Sequence, residues 1–108
     1  MNDFENLSIS SAIEGLANKN FTSLELTEFF IKNIEKNNDL KCFITSTFDK
    51  AIEMAKISDQ KIKENETRPL EGIPIGMKDL FCTEGVRTTA GSKILENFVP
   101  FYESTVSN

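Results

Sequence analysis

Leu70-Glu71-Gly72-Ile73-Pro74-Ile75-Gly76-Met77-Lys78-Asp79-Leu80-Phe81 is the densest apolar run in the chain, and it carries a lysine in its midst. Ile73, Ile75 and Met77 alternate with Pro74, Gly76 and Lys78, and on an extended chain alternate residues point to opposite faces. The alternation predicts a strand over about 73–78. One face carries Ile, Ile and Met; the other carries Pro, Gly and Lys, which leaves space beside the lysine. Asp79 would point away from Lys78 on such a strand and is not its obvious ion-pair partner. A lysine buried there without a carboxylate would favour its neutral amine, and a neutral amine can act as a general base. The other reading is a strand-end lysine that lays its methylenes on apolar surface and keeps its ammonium in water, since fully buried lysines are rare. A phosphate-binding loop is excluded. Only three residues separate Gly72 from Gly76, Met77 stands before the lysine and Asp79 after it. The phosphate motif needs four residues between its glycines and Lys-Ser/Thr directly after the second.

Outward from this stretch, 108 residues are enough for about one small domain. With 39% hydrophobic and 27% charged residues the composition is that of a soluble globular chain. A net charge of -5, with no basic patch, disfavours autonomous nucleic-acid binding. No apolar run is long enough to span a membrane. The opening Met1-Asn2-Asp3-Phe4-Glu5-Asn6 lacks the positive and apolar regions of a secretory signal, so a cytoplasmic location is expected. The absence of histidine excludes Ser-His, Cys-His and His-metal chemistry within these residues, and no metal site is expected. Cys42 and Cys82 read as free thiols: Cys42 as a small apolar filler in a strand, Cys82 as a nucleophile lacking an activating histidine.

The organisation is of helices and strands mixed, an α/β pattern. Helices are predicted over about 9–18, 22–37 and 48–64, strands over about 40–47 and 73–78, and a loop-rich segment over 82–108. Ser11 and Glu14 have capping-box spacing in the first helix, whose stripe is Ile9, Ala12, Ile13 and Leu16. Thr22 and Glu25 form a second capping box, with Phe21 and Leu26 placed as a hydrophobic staple. Leu26, Phe29, Phe30 and Ile34 line that helix, and Phe48, Ala51, Ile52, Ala55 and Ile62 line the third. Thr88, Thr89, Gly91 and Ser92 belong to a segment rich in hydroxyls and glycine that suits either a cleft-lining loop or a turn-rich connector. Ser104 or Thr105 is a candidate N-cap of a further element, and the apparent start of a helix so near Asn108 leads us to expect an incomplete chain.

The Gly-Ile-Pro-Ile-Gly-Met-Lys-Asp core at 72–79 resembles the amidase signature family. Gly85-Val86-Arg87-Thr88-Thr89-Ala90-Gly91-Ser92, Ile94-Leu95-Glu96-Asn97-Phe98-Val99-Pro100 and Tyr102-Glu103-Ser104-Thr105-Val106 resemble the A-subunit branch of that family, from tRNA-dependent amidotransferases acting on glutamyl-tRNA(Gln) or on aspartyl- and glutamyl-tRNA. The likeness extends over essentially the whole chain. It implies the N-terminal portion of the amidase signature fold, a mixed sheet layered with helices, here incomplete. It also implies that Lys78 is the neutral base of a Ser–Ser–Lys triad that hydrolyses glutamine, with Thr88, Thr89, Gly91 and Ser92 near the cleft. The ammonia would pass to the B subunit, which with ATP and Mg amidates the mischarged tRNA; subunits B and C are the implied partners, and this chain would bind no cofactor itself. Leu80 departs from the asparagine many relatives carry there. The family's serines lie in a Gly/Ser-rich segment beyond Asn108, so the chain alone is expected to be inactive and, lacking later strands, to leave sheet edges unpaired. The competing readings are another amide hydrolase of the same family and a non-catalytic remnant or split-gene product.

Overall fold

The computed structural model describes residues 3–108, so Met1 and Asn2, at the head of the stretch read for a secretory signal, lie outside it. The chain divides into two units, the first formed by residues up to Cys42 together with Phe48–Pro74 and the second by Phe43–Thr47 with Ile75–Asn108.

The first unit is helical, with α1 at Ile9–Ala17, α2 at Ser23–Lys36 and α3 at Phe48–Lys63. Helix α1 starts one turn earlier than the Ser11–Glu14 spacing indicates. Ser8 is its cap: the Ser8 hydroxyl accepts from the Ser11 N–H at 3.1 Å, and the Ser11 hydroxyl accepts from the Ser8 N–H at 2.9 Å. A serine at N3 thus does the work usually given to Glu or Gln. The helix ends at Asn18 with Lys19 left-handed (φ 59), the Asn20 N–H reaching Gly15 O at 2.9 Å and the Lys19 N–H reaching Leu16 O at 3.1 Å. This closes its last carbonyls. Asn65 ends α3 the same way, at φ 57, with the Glu66 N–H on Lys61 O at 2.9 Å.

Helix α2 opens with the Thr22–Glu25 box that its spacing predicts. A second acceptor comes from α3, where the Asp59 carboxylate takes the Ser23 N–H at 2.7 Å and the Leu24 N–H at 3.1 Å. A negative group on otherwise unsatisfied first-turn donors favours the helix through both hydrogen bonding and the dipole. Ala12, Leu16, Phe21 and Leu26 form the core, with Phe4, Leu7, Ile62 and Ile73 packed against it. Burial of a side chain such as Leu26 contributes roughly 1.5–3 kcal/mol. Phe4 also meets Phe21 and Phe29 edge-to-face, with ring centroids 5.1 and 5.3 Å apart. On the expected stripes Ile9, Ile13 and Phe30 are exposed.

Glu71 and Gly72 anchor the decisive stretch in this unit. Gly72 is left-handed (φ 83), and a Cβ there would stand 3.1 Å from Leu16 Cδ1 and 3.2 Å from Ser23 Cβ, so α1 and α2 approach a position only glycine fills without strain. The buried Ser23 hydroxyl donates to Gly72 O at 2.8 Å. The buried Glu71 carboxylate accepts from Arg68 Nε at 2.8 Å and from the Ser58 hydroxyl at 2.6 Å. The Arg68 hydrogen bond, helped by Ser58 and opposed by burial, holds the Glu71 carboxyl down at about 2.

Neither expected strand is present; among the described residues there is no strand at all. Over 40–47 the chain instead closes a 3-10 turn at Asn38–Leu40 and turns left-handed at Lys41 (φ 51), which breaks any pleat. Cys42, expected as an apolar filler there, is exposed. Over 73–78 the alternation is in the sequence but the partner is missing. Pro74 has no N–H, the Ile73 N–H closes a turn on Leu70 O at 3.2 Å, and no backbone hydrogen bond joins residues 74–77 to other described residues. A strand is a pairing of backbone groups, so the pattern alone does not make one. The amidase-type layered sheet is therefore absent from these residues.

The second unit is built of turns. Thr88 N–H to Phe98 O (3.0 Å), Gly85 N–H to Pro100 O (2.9 Å) and Ser104 N–H to Cys82 O (2.8 Å) run two segments antiparallel without forming a ladder. A 3-10 turn at Lys93–Leu95, capped by Ser92, lies between them. Ser104 caps the closing turn, its hydroxyl accepting from the Ser107 N–H at 3.1 Å.

Candidate active site

Lys78 lies in the second unit at the start of a turn, its carbonyl accepting the Phe81 N–H at 3.1 Å. Its side chain is exposed, so the burial considered from sequence is not found: the residues of its unit do not cover it. It forms no ion pair among the described residues, in keeping with Asp79 pointing elsewhere. The space Gly76 leaves is partly taken by Phe43, whose ring carbon Cε1 would be 3.4 Å from a Cβ at that glycine.

Asp79 is tied to the loop of Thr88, Thr89, Gly91 and Ser92. Its Oδ1 accepts the Thr89 N–H at 3.0 Å, its Oδ2 accepts the Thr89 hydroxyl, and its carbonyl accepts the Ala90 N–H at 2.8 Å. The Thr89 oxygen accepts from the Gly91 N–H at 3.2 Å, which leaves its proton for Asp79. Ala90 (φ 50) and Gly91 (φ 71) are both left-handed, and the Ser92 N–H closes on Thr89 O at 2.9 Å. Thr88 and Thr89 are buried; the Thr88 hydroxyl turns back onto Val86 O at 3.1 Å.

Thr89, Gly91 and Ser92 line an open depression of about 230 Å³ with Ile44, Arg87, Lys93 and Glu96; Lys78 and Thr88 do not. Arg87 builds its wall. Nε donates to Thr45 Oγ1 at 3.1 Å, Nη1 to Glu96 O at 2.9 Å and Nη2 to Ile44 O at 3.3 Å. A guanidinium spread over three partners is a structural brace more than a free anion site. Asp79 and Arg87 are the residues sequence reasoning missed. In the sequence Asp79 is a non-partner of Lys78 and part of the Lys-Asp core; its signal as a staple is a carboxylate ten residues before a hydroxyl-rich turn, which is too general to single it out. Cys82 is half-buried and donates its thiol to Tyr102 Oη at 3.5 Å. Among the described residues no cluster of His, Cys, Asp and Glu is arranged to hold a metal ion, and no helix is long and apolar enough to cross a membrane.

An exposed lysine at a turn, stapled through the next residue to a threonine- and glycine-rich loop, is carried on a sequence that matches the amidase family model over residues 25–108, and the chain belongs to that family. Within it, the chain is 53% identical over 108 residues to the A subunit of the glutamyl-tRNA(Gln) amidotransferase of Xanthobacter autotrophicus, covering 100% of this chain and 22% of the relative. It is 58% identical over 103 residues to the A subunit of the Caulobacter vibrioides enzyme, covering 95% and 21%. It is 50% identical over 107 residues to that of Rickettsia bellii, covering 99% and 22%. The chain thus spans about a fifth of the length of these relatives.

Proposed function

We propose that these residues are the opening part of the glutamine-hydrolysing subunit of a cytoplasmic glutamyl-tRNA(Gln) amidotransferase, with Lys78 as its catalytic base. The observation that carries the reading is the fixed Lys78-Asp79 turn, held against the Thr88–Ser92 loop in a chain at least 50% identical to named A subunits. The serines of a Ser–Ser–Lys triad would come from sequence that the relatives carry beyond the matched fifth. In that setting the Lys78 amine takes a proton from a bridging serine, which takes one from the nucleophilic serine as it attacks the glutamine amide carbon. The C–N bond breaks and ammonia leaves with a returned proton. Water then cleaves the acyl-serine to give glutamate. Subunits B and C are the partners, and amidation of the glutamyl-tRNA, with ATP and Mg, takes place on the former.

The test is glutamine hydrolysis by the complete subunit in complex with its partners. Lys78→Ala should lower kcat by about 10²–10⁴, the usual contribution of a general base. Retention of activity within a few-fold would refute the assignment. The 108-residue chain by itself should release no ammonia from glutamine above its own Lys78→Ala control, because it supplies a base and no triad serines.

A further inference from the structure

The second unit holds Lys78 in an uneven way. Its side chain is free, while the backbone that follows it is fixed. The Lys78 carbonyl is bound by the Phe81 N–H. Asp79 accepts three hydrogen bonds: Oδ1 from the Thr89 N–H, Oδ2 from the Thr89 hydroxyl, and its carbonyl from the Ala90 N–H. Thr89 is 4% exposed and is itself locked, because its oxygen also accepts the Gly91 N–H and its carbonyl accepts the Ser92 N–H. No ion pair draws the carboxylate toward Lys78. Asp79 is not in ion-pair contact with the amine; it sets where the lysine stem begins.

We propose that Asp79, through Thr89, is the positioning residue of the Lys78 base. The proposal rests on the reading of Lys78 given above. The chemistry requires this pair of residues. Both oxygens of the carboxylate face donors, so an asparagine would set an NH2 group against the Thr89 oxygen and replace the charge-assisted hydroxyl bond with a reversed, weaker one. A glutamate would add a methylene and push the buried threonine away. Serine at 89 keeps both the N–H and the hydroxyl donor, while valine keeps the shape and loses the hydroxyl.

The experiment measures kcat, KM for glutamine and the pH profile of glutamine hydrolysis in the complete subunit with its partners, for Asp79→Asn, Thr89→Val, Thr89→Ser and Lys78→Ala. Asp79→Asn and Thr89→Val should each lower kcat about 10- to 100-fold, the range expected for misplacing a reacting group by up to about 1 Å. KM should hold and the pH limb that reports the base should move, whereas Thr89→Ser should restore wild-type kcat and the wild-type limb. If Lys78→Ala abolishes hydrolysis while Asp79→Asn and Thr89→Val keep kcat per folded enzyme and the wild-type limb, the positioning role is wrong and the base assignment stands. If Thr89→Ser fails as badly as Thr89→Val, the hydroxyl staple is not the cause and the proposal also falls. Activity retained in Lys78→Ala overturns both.

Discussion

Glu71→Gln is the substitution whose consequences the structure defines best. The carboxylate is 2% exposed as a side chain, while its partner Arg68 is 70% exposed. Its folded value of about 2 lies below the ordinary 4.5, chiefly because of the Arg68 hydrogen bond. The sign follows from that order. A carboxyl that binds its proton less readily when folded stabilises the fold above its unfolded value, and the contribution fades as pH falls from about 4.5 toward about 2. The difference corresponds to at most about 3 kcal/mol. Water around the Arg68 head screens the pair, so about 1–2 kcal/mol is the expected effect at pH 7. Glutamine keeps the size of the side chain and an oxygen for the Ser58 hydroxyl, while its NH2 group faces Arg68 Nε, so the charge and the Arg68 hydrogen bond are lost together. Urea unfolding of both proteins from about pH 7 to about pH 2 is the assay. The wild type should be more stable at neutral pH, and the two curves should converge on acidification. Equal stability at pH 7, or curves that stay parallel through the acid range, would refute the reasoning.

Asp59→Ala removes the acceptor of two first-turn N–H groups of α2, one of them on the buried Ser23, and should cost about 1–3 kcal/mol, seen as a lower unfolding midpoint and faster amide exchange at Ser23 and Leu24. Gly15→Ala should destabilise although alanine is the better helix former by about 1 kcal/mol, because its Cβ would lie 2.3 Å from Phe21 Cε1; a thermal midpoint at or above wild type would show that the Phe21 ring moves aside freely.

The helices were legible because their signals are local. The Thr22–Glu25 box and the 3.6-residue stripes need only neighbouring residues to operate. The Ser8 cap was misplaced by one turn because serine at N3 can substitute for glutamate, and spacing alone does not choose between successive serines. The strands were not legible in the same sense. Ile73-Pro74-Ile75-Gly76-Met77-Lys78 has the period of a strand, but pairing is a property of two segments, and nothing in one segment reports whether the other is at hand. At the candidate site, Lys78 stood out by its setting and Thr89, Gly91 and Ser92 by their composition; the last three do line one depression. Asp79 and Arg87 did not stand out, since their roles depend on partners 10 and 42 residues away.

The distribution of order along 70–81 bears on how a lysine proposed as a base can be held without being buried. Four apolar residues of that run are exposed, Leu70, Ile75, Met77 and Leu80 each being at least 42% accessible, while Ile73 packs against the core. The two carboxylates are fixed, Glu71 by Arg68 and Ser58 in the first unit and Asp79 by Thr89 and Ala90 in the second. Hydrophobic contact is non-directional, and a side chain held by it alone can slide or change rotamer at little cost. Paired hydrogen bonds to both oxygens of a carboxylate fix orientation as well as distance. A lysine that must present its amine at one point gains more from the second kind of restraint, applied to the neighbouring residue, than from apolar packing around its own stem. In this chain the restraint is already in place at Asp79 while Lys78 itself remains open to solvent, so on the proposed reading of Lys78 as a base, positioning it and desolvating it are separable tasks, and the residues described would perform only the first.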